Sequence, residues 1–449
     1  MKSLCADLFQ EMKDSRQEFI AGGSTRKEIC QLAARFSSCF LELDSDVPIC
    51  LAAEDRAVIA AALLAAVATG RVLTFPHSFS ARALRQMQEL TGFTTAIVDV
   101  HRELAHGTQC ISPEDVQDFS PLNFSDLQVD PDAELLKLFT GGSTGAAKIW
   151  SKSVKNVFDE AQFMALRYAI CRSDTIVATI TPYHIYGLLF SVLIPLVAQA
   201  RIIAASPSFP AEISTSVAHS SATILASVPA HYRALQSRSL HTSLRLAFSS
   251  AGMLPEEDGR NFCAQNSIDI VEVYGSTETG GLASRNRNSG EQFFTPLQPV
   301  TWQIQDERLY VRSPFLSSDV PVDSDNWFLS GDRVQQQDGQ SFSLHGRADA
   351  ITKVAGERVD LDEIRDLLLK QKGVAECVVV PLADRGGRGN RIAALLRNEE
   401  EELDLAPIKL MLSLSLEPAA MPKIIRVVSY IPLKENGKYD RDAIIRLLS

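Results

Sequence analysis

The sequence predicts an α/β fold in two parts, a large multi-layer α/β N-terminal domain carrying a small β subdomain and a smaller α+β C-terminal domain. Three observations predict it. Apolar runs of strand length alternate with helical runs from residue 17 to about 273. After about 294 the texture changes to short strands separated by Asp, Ser and Gly. Basic and acidic residues then balance over 346–449, so the net charge of −11 resides entirely in the part before 346.

The elements follow in order. Residues 26–41 and 55–68 have helical spacing, and 71–75 and 95–100 are β-branched runs of buried-strand length. Helices at 155–170 and 188–199 alternate with strands at 175–179 and 201–204. The runs 223–228, 244–249 and 268–273 repeat the strand signal, each followed by a turn. Strands at 302–305, 309–312 and 341–345 mark the small β subdomain, over about 295–345. A helix at 362–370 with strands at 375–380 and 424–428 completes the C-terminal part, giving domains of 1–345 and 346–449.

Composition narrows the function. A chain of 449 residues, 45% hydrophobic and 22% charged, is a folded protein with room for at least two cores. With 55 acidic against 44 basic residues it lacks the basic footprint that nucleic acid or an anionic membrane requires. Eight scattered cysteines with no CxxC pair suggest neither a disulfide framework nor a metal cage, and fit a reducing cytoplasm. Residues 1–12 mix Lys2, Asp7 and Glu11 into the apolar positions, so no export signal is expected. The longest apolar runs, 57–68 and 187–198, are shorter than the roughly 20 residues of a membrane span, and Pro195 interrupts the second.

The most informative stretch is Thr140, Gly141, Gly142, Ser143, Thr144 and Gly145, followed by Ala147 and Lys148, after an apolar run and ahead of a predicted helix. Glycines let backbone amides converge on an anion, hydroxyls add donors and Lys148 adds charge, as in a phosphate cradle. A Walker A loop needs Gly directly before the Lys, where Ala147 stands. A second cluster, Tyr274, Gly275, Ser276, Thr277 and Glu278, ends the run 268–273 and offers an aromatic face, hydroxyls and a carboxylate suited to a base, phosphate and Mg²⁺. Ser330-Gly331-Asp332 and Gly346-Arg347-Ala348-Asp349 supply a carboxylate for ribose hydroxyls and a guanidinium for phosphate or ribose oxygens. Gly356 lies in a fifth segment leading to Glu363, and an Asn436-Gly437 turn presents Lys438 near the C-terminus. Taken singly, each fragment is matched as well by a solvated turn.

In this order and spacing the six fragments resemble the adenylate-forming superfamily of AMP-dependent synthetases and ligases, in a short form. The resemblance runs over about 135–441 and includes Pro182, Tyr183, His184 and Gly187, similar to a substrate-side motif near the acyl carboxylate. Ala147 replaces the usual Pro, Ser330 a Thr and Arg365 an acid, and none of these removes a charge that the reaction needs. The resemblance implies that an acid is activated by ATP as an acyl-adenylate and then passed to a phosphopantetheine thiol, as in acyl- or aryl-CoA synthetases. It assigns Lys438, His184, Thr277 and Glu278 to catalysis, with Glu278 also holding the metal. Thr140, Gly141, Gly142, Ser143, Thr144, Gly145 and Lys148 would hold the β- and γ-phosphates. Gly252, Tyr274 and Gly275 would border adenine, and Asp332 and Arg347 would hold the ribose and AMP. The C-terminal domain would be mobile about a hinge near Asp349 and bring Gly356 to the thiol. The implied cofactors are ATP, Mg²⁺ and coenzyme A, or the phosphopantetheine of an acyl carrier protein. The substrate expected is a small-molecule carboxylic acid, apolar fatty or aryl, because the candidate pocket walls His184, Gly187, Val228, Pro229, Ser250, Gly252, Gly275, Gly280 and Gly281 are mostly small or apolar and no Asp or Lys stands ready for an amino acid. An acyl carrier protein ligase, a luciferase-like oxygenase, a P-loop phosphotransferase and a nucleotide binder without turnover are the alternatives. Neither nucleic acid nor stable membrane insertion is expected, and the location expected is cytoplasmic.

Overall fold

The computed structural model describes residues 8–104, 106–124, 127–141, 147–236, 238–241, 243–354, 357–383, 390–398, 403–433 and 439–449. It divides into two compact units. One comprises Met1–Trp302, Val311–Phe328 and Asp338–Ser341, the other Gln303–Tyr310, Leu329–Gln337 and Phe342–Ser449.

The first unit carries two large sheets. In one, β1 (Ile49–Ala52), β2 (Leu73–Phe75), β3 (Thr95–Val98), β4 (Gln109–Ile111), β5 (Glu134–Gly141) and β6 (Ala147–Ser153) lie in the order β4-β3-β1-β2-β5-β6. All pairs are parallel except β5 with β6. Strands β1, β2 and β3 are buried at every residue; β2 and β3 fall within the β-branched runs of the sequence, whereas β1 was not expected from it. Helix Arg26–Glu42 starts at a capping box of Thr25 and Glu28. Helix Arg56–Thr69 starts where the Asp55 carboxylate accepts the Ala57 and Val58 N–H groups, and stops at Gly70 with φ 67°.

The other sheet holds β7 (Thr175–Ala178), β8 (Arg201–Ile202), β9 (Ile224–Ser227), β10 (Leu246–Ser249), β11 (Ile270–Ser276), β12 (Gly280–Arg285) and β13 (Thr295–Pro296), in the order β13-β12-β11-β10-β9-β7-β8. Strands β7 to β11 are parallel, so Thr179, Ser227, Ser250 and Thr277 all lie at or just beyond the carboxyl ends, along one edge. That edge is where open α/β sheets bind ligands. Its core gathers Leu225, Tyr232, Ala247, Phe262 and Ile270.

Two sequence expectations are corrected here. The glycine-rich stretch leads into antiparallel strand β6, with Thr140 opposite Lys148 and Gly141 opposite Ala147, and the helix Val154–Arg167 begins only after its cap Ser153. Pairing with β5 turns Ile149 and Trp150 into strand residues, so the stretch connects a hairpin. The helix expected at 188–199 begins at Ile185, passes through a π turn at Leu189–Leu193 and resumes at Ile194–Ala198. Pro195, which has no N–H to donate, stands directly after the π turn, where the regular α-helical bonding is already interrupted.

Most of the small sheet lies in the second unit. Its strands are β14 (Thr301–Gln305), β15 (Arg308–Arg312), β16 (Phe328–Gln336) and β17 (Phe342–Arg347), in that order. Hairpin β18 (Ile351–Val354) and β19 (Glu357–Asp360) follows, and Asp360 caps helix Leu361–Leu369. Strands β20 (Val374–Ala383), β21 (Asn390–Asn398) and β22 (Ile424–Val428) form a sheet buried on both faces. Ala394 and Leu396 of β21 pack with Ile364, Leu368 and Leu412, whereas Ala393 and Leu395 pack with Ile444 and Leu448. Among the described residues the cysteines are free, no cluster of His, Cys, Asp and Glu could hold a metal by itself, and no helix is long and apolar enough to cross a membrane.

Candidate active site

The Tyr274–Glu278 motif forms the end of β11 and the turn into β12. Gly275 is required there by close approach, since a Cβ would fall 2.2 Å from the Gly280 carbonyl oxygen. A bulge between Tyr274 and Gly275 marks the same point. The turn is closed by Ser276 and Thr279, with the Ser276 N–H donating to Thr279 Oγ1 at 2.9 Å and the Thr279 N–H to Ser276 Oγ at 3.3 Å. The Tyr274 ring lies 5.8 Å from that of Phe294.

Glu278 is held by its backbone. Its carbonyl accepts the Ser317 N–H at 2.8 Å and the Lys152 ammonium at 3.2 Å. Its half-buried carboxylate makes no hydrogen bond or ion pair with a described residue. A carboxylate so placed fits Mg²⁺, which takes one or two protein carboxylates and completes its shell with phosphate oxygens and water.

Behind this turn lie two buried charges that sequence reasoning missed. Lys152 of β6 is 1% exposed and also donates to the Phe315 carbonyl at 2.6 Å. Glu160, of the helix Val154–Arg167, is 5% exposed and accepts the Gly281 N–H at 2.7 Å. Burial lowers the Lys152 ammonium to about 8 against the pull of Glu160, Glu278 and Asp319. Burial likewise raises the Glu160 carboxyl against Lys152 and the Gly281 N–H. Nothing in the sequence signals them, because Lys148, on the same strand face as Lys152, is exposed.

On the substrate side, His184 precedes the short helix Ile185–Leu188, and its ring lies 5.0 Å from Tyr183, which meets Phe79 edge-on at 4.9 Å. Gly252 lies beyond β10 next to Pro229, where a Cβ would meet Cγ at an ordinary 3.6 Å. Tyr186 donates to the Ser227 and Phe248 carbonyls at 3.1 Å, fixing the helix to the strand ends. Thr179, Ser227 and His231 form a further polar cluster, with His231 Nδ1 2.9 Å from Thr179 Oγ1. Burial holds the His231 ring below its ordinary value, hence neutral at pH 7.

In the second unit Asp332 and Arg347 are cross-strand partners on β16 and β17, with Nη1 3.6 Å from Oδ1. The Arg347 guanidinium lies over Gly331, where a Cβ would fall 2.6 Å from Nη2. Asp362 accepts the Arg347 backbone N–H at 3.0 Å, an anchor the sequence did not reveal. Arg365, where an acid was expected, pairs with Asp362 and Asp366. Asp349 falls in a short 3₁₀ turn, Ala348–Ala350. Gly142, Ser143, Thr144, Gly145, Gly356 and Lys438 lie outside the described residues. Leu433 and Tyr439, which flank the Lys438 segment, form an antiparallel bridge.

The Glu278 turn lies at the carboxyl end of a parallel strand, the place where open α/β sheets bind ligands. The family model of the AMP-binding enzymes matches residues 15–316, and the chain belongs to that family. It is 24% identical over 353 residues to the sulfoacetate–CoA ligase of Cupriavidus necator, covering 69% of this chain and 66% of that protein. In fold it resembles ATP-bound MatB from Rhodopseudomonas palustris, with TM-score 0.85 and 19% identity over 99% of this chain and 98% of that one. It also resembles the O-succinylbenzoate coenzyme A synthetase of Bacillus subtilis solved with ATP and magnesium, with TM-score 0.84 and 16% identity over 98% and 99%. The chain thus spans just under two thirds of the length of the curated ligase and nearly all of the two solved chains.

Proposed function

We propose that the protein is an AMP-forming acid–thiol ligase that activates a carboxylic acid with ATP and transfers the acyl group to coenzyme A. The observation that carries this reading is the Glu278 turn, held by its backbone carbonyl at the carboxyl end of β11. Membership of the AMP-binding family and the CoA ligase named among its relatives support it.

In the first half-reaction a carboxylate oxygen of the acid attacks the α-phosphorus, a new P–O bond forms and the bond to the bridging oxygen breaks, releasing pyrophosphate. Residues 140–148 hold the β- and γ-phosphates, Thr277 contacts the α-phosphate and Tyr274 stacks on adenine beside Gly252 and Gly275. Glu278 binds Mg²⁺, whose charge stabilises the phosphates when it is bound. Asp332 accepts the ribose hydroxyls with Arg347 beside it, His184 orients the acid, and Lys438 offsets the charge growing on the transferring group. In the second half-reaction the thiol enters near Gly356 and attacks the acyl carbon; the C–S bond forms, the bond to AMP breaks and the thiol proton is lost to solvent.

This reading divides the chain into an adenylation domain, 1–345, and a mobile domain, 346–449, turning near Asp349 so that one pocket serves both steps. The small or apolar candidate wall residues favour a fatty or aryl acid. Free cysteines among the described residues suit the reducing cytoplasm. The test is product analysis with fatty and aryl acids, ATP, Mg²⁺ and either coenzyme A or an acyl carrier protein. AMP, pyrophosphate and an acyl-CoA are expected; acylation of the carrier alone would move the acceptor, and ADP as sole nucleotide product would overturn the reading.

A further inference from the structure

The chemistry above leaves Lys152 and Glu160 unused, although both are nine-tenths or more buried. An apolar pair would fill the same space without the loss of solvation that buried charge entails. What the charges add is geometric. Lys152 stands on the strand that follows the glycine-rich hairpin and reaches across to the Glu278 and Phe315 carbonyls. Glu160 takes the Gly281 N–H, three residues further along the same turn, so closely that a Cβ at Gly280 would fall 2.6 Å from its Oε2. The segment after Phe315 closes the arrangement, with the Ser317 N–H donating to the Glu278 carbonyl at 2.8 Å and the Ser318 N–H to the Ser151 carbonyl at 3.3 Å. Asp319 accepts the Ser151 N–H at 3.1 Å. The strand bearing Lys148 and the turn bearing Glu278 belong to different sheets, and Lys152 bonds directly from one to the other.

We propose that Lys152 and Glu160 are positioning residues that hold the Glu278 turn at two points, the Glu278 carbonyl and the Gly281 N–H, and set its carboxylate for a magnesium-bound triphosphate. The proposal rests on the nucleotide site described under the proposed function. Neither residue touches the nucleotide. Lys152 locates the Glu278 backbone, Glu160 locates Gly281, and the Glu278 carboxylate inherits its place from that backbone. Side chains that carry a metal-binding group need such support to hold it within a fraction of an ångström.

The test compares wild type, Lys152→Met and Lys152→Met/Glu160→Gln in the full chain. Calorimetry measures ATP affinity with and without Mg²⁺, and the thermal midpoint is recorded for each. Lys152→Met should lose roughly tenfold in Mg·ATP affinity with little change for metal-free ATP, the scale on which supporting residues act at metal sites. It should also melt at a lower temperature, because Glu160 is left buried without its counter-charge. The double variant removes both charges yet keeps an acceptor for the Gly281 N–H, so its melting temperature should recover while the magnesium effect stays lost. If the double variant recovers both, the residues serve folding alone and the proposal fails. It fails as well if the affinities with and without the metal drop together, or if wild type shows no magnesium effect. Acid-dependent pyrophosphate release is followed in parallel. A wild type that binds Mg·ATP through this turn but releases no pyrophosphate with any acid would sink the ligase reading and leave the positioning role standing.

Discussion

Asp332 and Arg347 face each other across β16 and β17, and the arginine lies over the bare backbone of Gly331, with Nη1 3.6 Å from the carboxylate. Two fragments far too weak to interpret separately become one feature once the strands pair. The arrangement makes Gly331→Ala informative. Its Cβ would press on the far end of a flexible side chain, not on backbone, so Arg347 should swing aside at little cost to the fold. The thermal midpoint should change by about 2 °C or less, while KM for ATP rises about tenfold, the scale of one charge-assisted hydrogen bond.

Gly275→Ala should behave differently. Its Cβ meets the Gly280 carbonyl oxygen and the Gly281 Cα, both backbone. The turn must open, costing about 3 kcal/mol of stability and displacing Glu278. Chemical denaturation should show the loss, and magnesium-dependent ATP binding should fall with it.

Asp174 fixes a pH dependence of stability. Its carboxylate accepts from Arg245 Nη2 and Nε at 2.8 and 2.9 Å, from Thr223 Oγ1 at 2.6 Å and from the Cys171 N–H at 2.9 Å. Burial works against the charged form, but these bonds outweigh it and hold the carboxyl below its ordinary value. The unfolded chain therefore takes up this proton more readily than the folded one. The stabilisation is complete above about pH 5, where an unfolded Asp has ionised, and is lost as pH falls through the lower folded-state value. Asp174→Asn should be less stable at pH 7 by on the order of 2 kcal/mol, less than for a fully buried pair because Arg245 is 39% exposed. Denaturation curves of the two proteins should converge at strongly acid pH.

How much of this was legible in the sequence depended on which force set each element. Strands buried on both faces, such as β3 and β9, announce themselves through composition, and Tyr274–Glu278 stood out because it ends such a strand; β1, equally buried but only four residues long, was missed. Strand β6 was passed over because Lys148, Ser151 and Lys152 dilute its apolar content, and only pairing with β5 makes it a strand. Strand β16 was hidden in the same way behind Ser330, Asp332 and Arg333. Lys152 and Glu160 were illegible because each is satisfied by carbonyls and amides distant in sequence, which no local pattern encodes. Asp332 and Arg347 were singled out separately in the sequence, where nothing local shows that the two make one contact.

The division of labour proposed for Lys438 and Gly356 yields a paired prediction. Lys438→Ala should lose adenylation yet still form thioester from supplied acyl-adenylate, and Gly356→Leu should do the reverse. Stopped assays of each half-reaction decide it, and equal loss of both steps in both variants would refute separate roles.

The most direct test of the whole account is acid-dependent exchange of labelled pyrophosphate into ATP. Wild type with Mg²⁺ and a matching fatty or aryl acid should catalyse exchange, omission of acid or metal should stop it, and Lys438→Ala should reduce it by at least a hundredfold, as loss of an electrostatic stabiliser does. Absence of exchange with every acid in a broad panel, by folded protein that binds ATP, would contradict it.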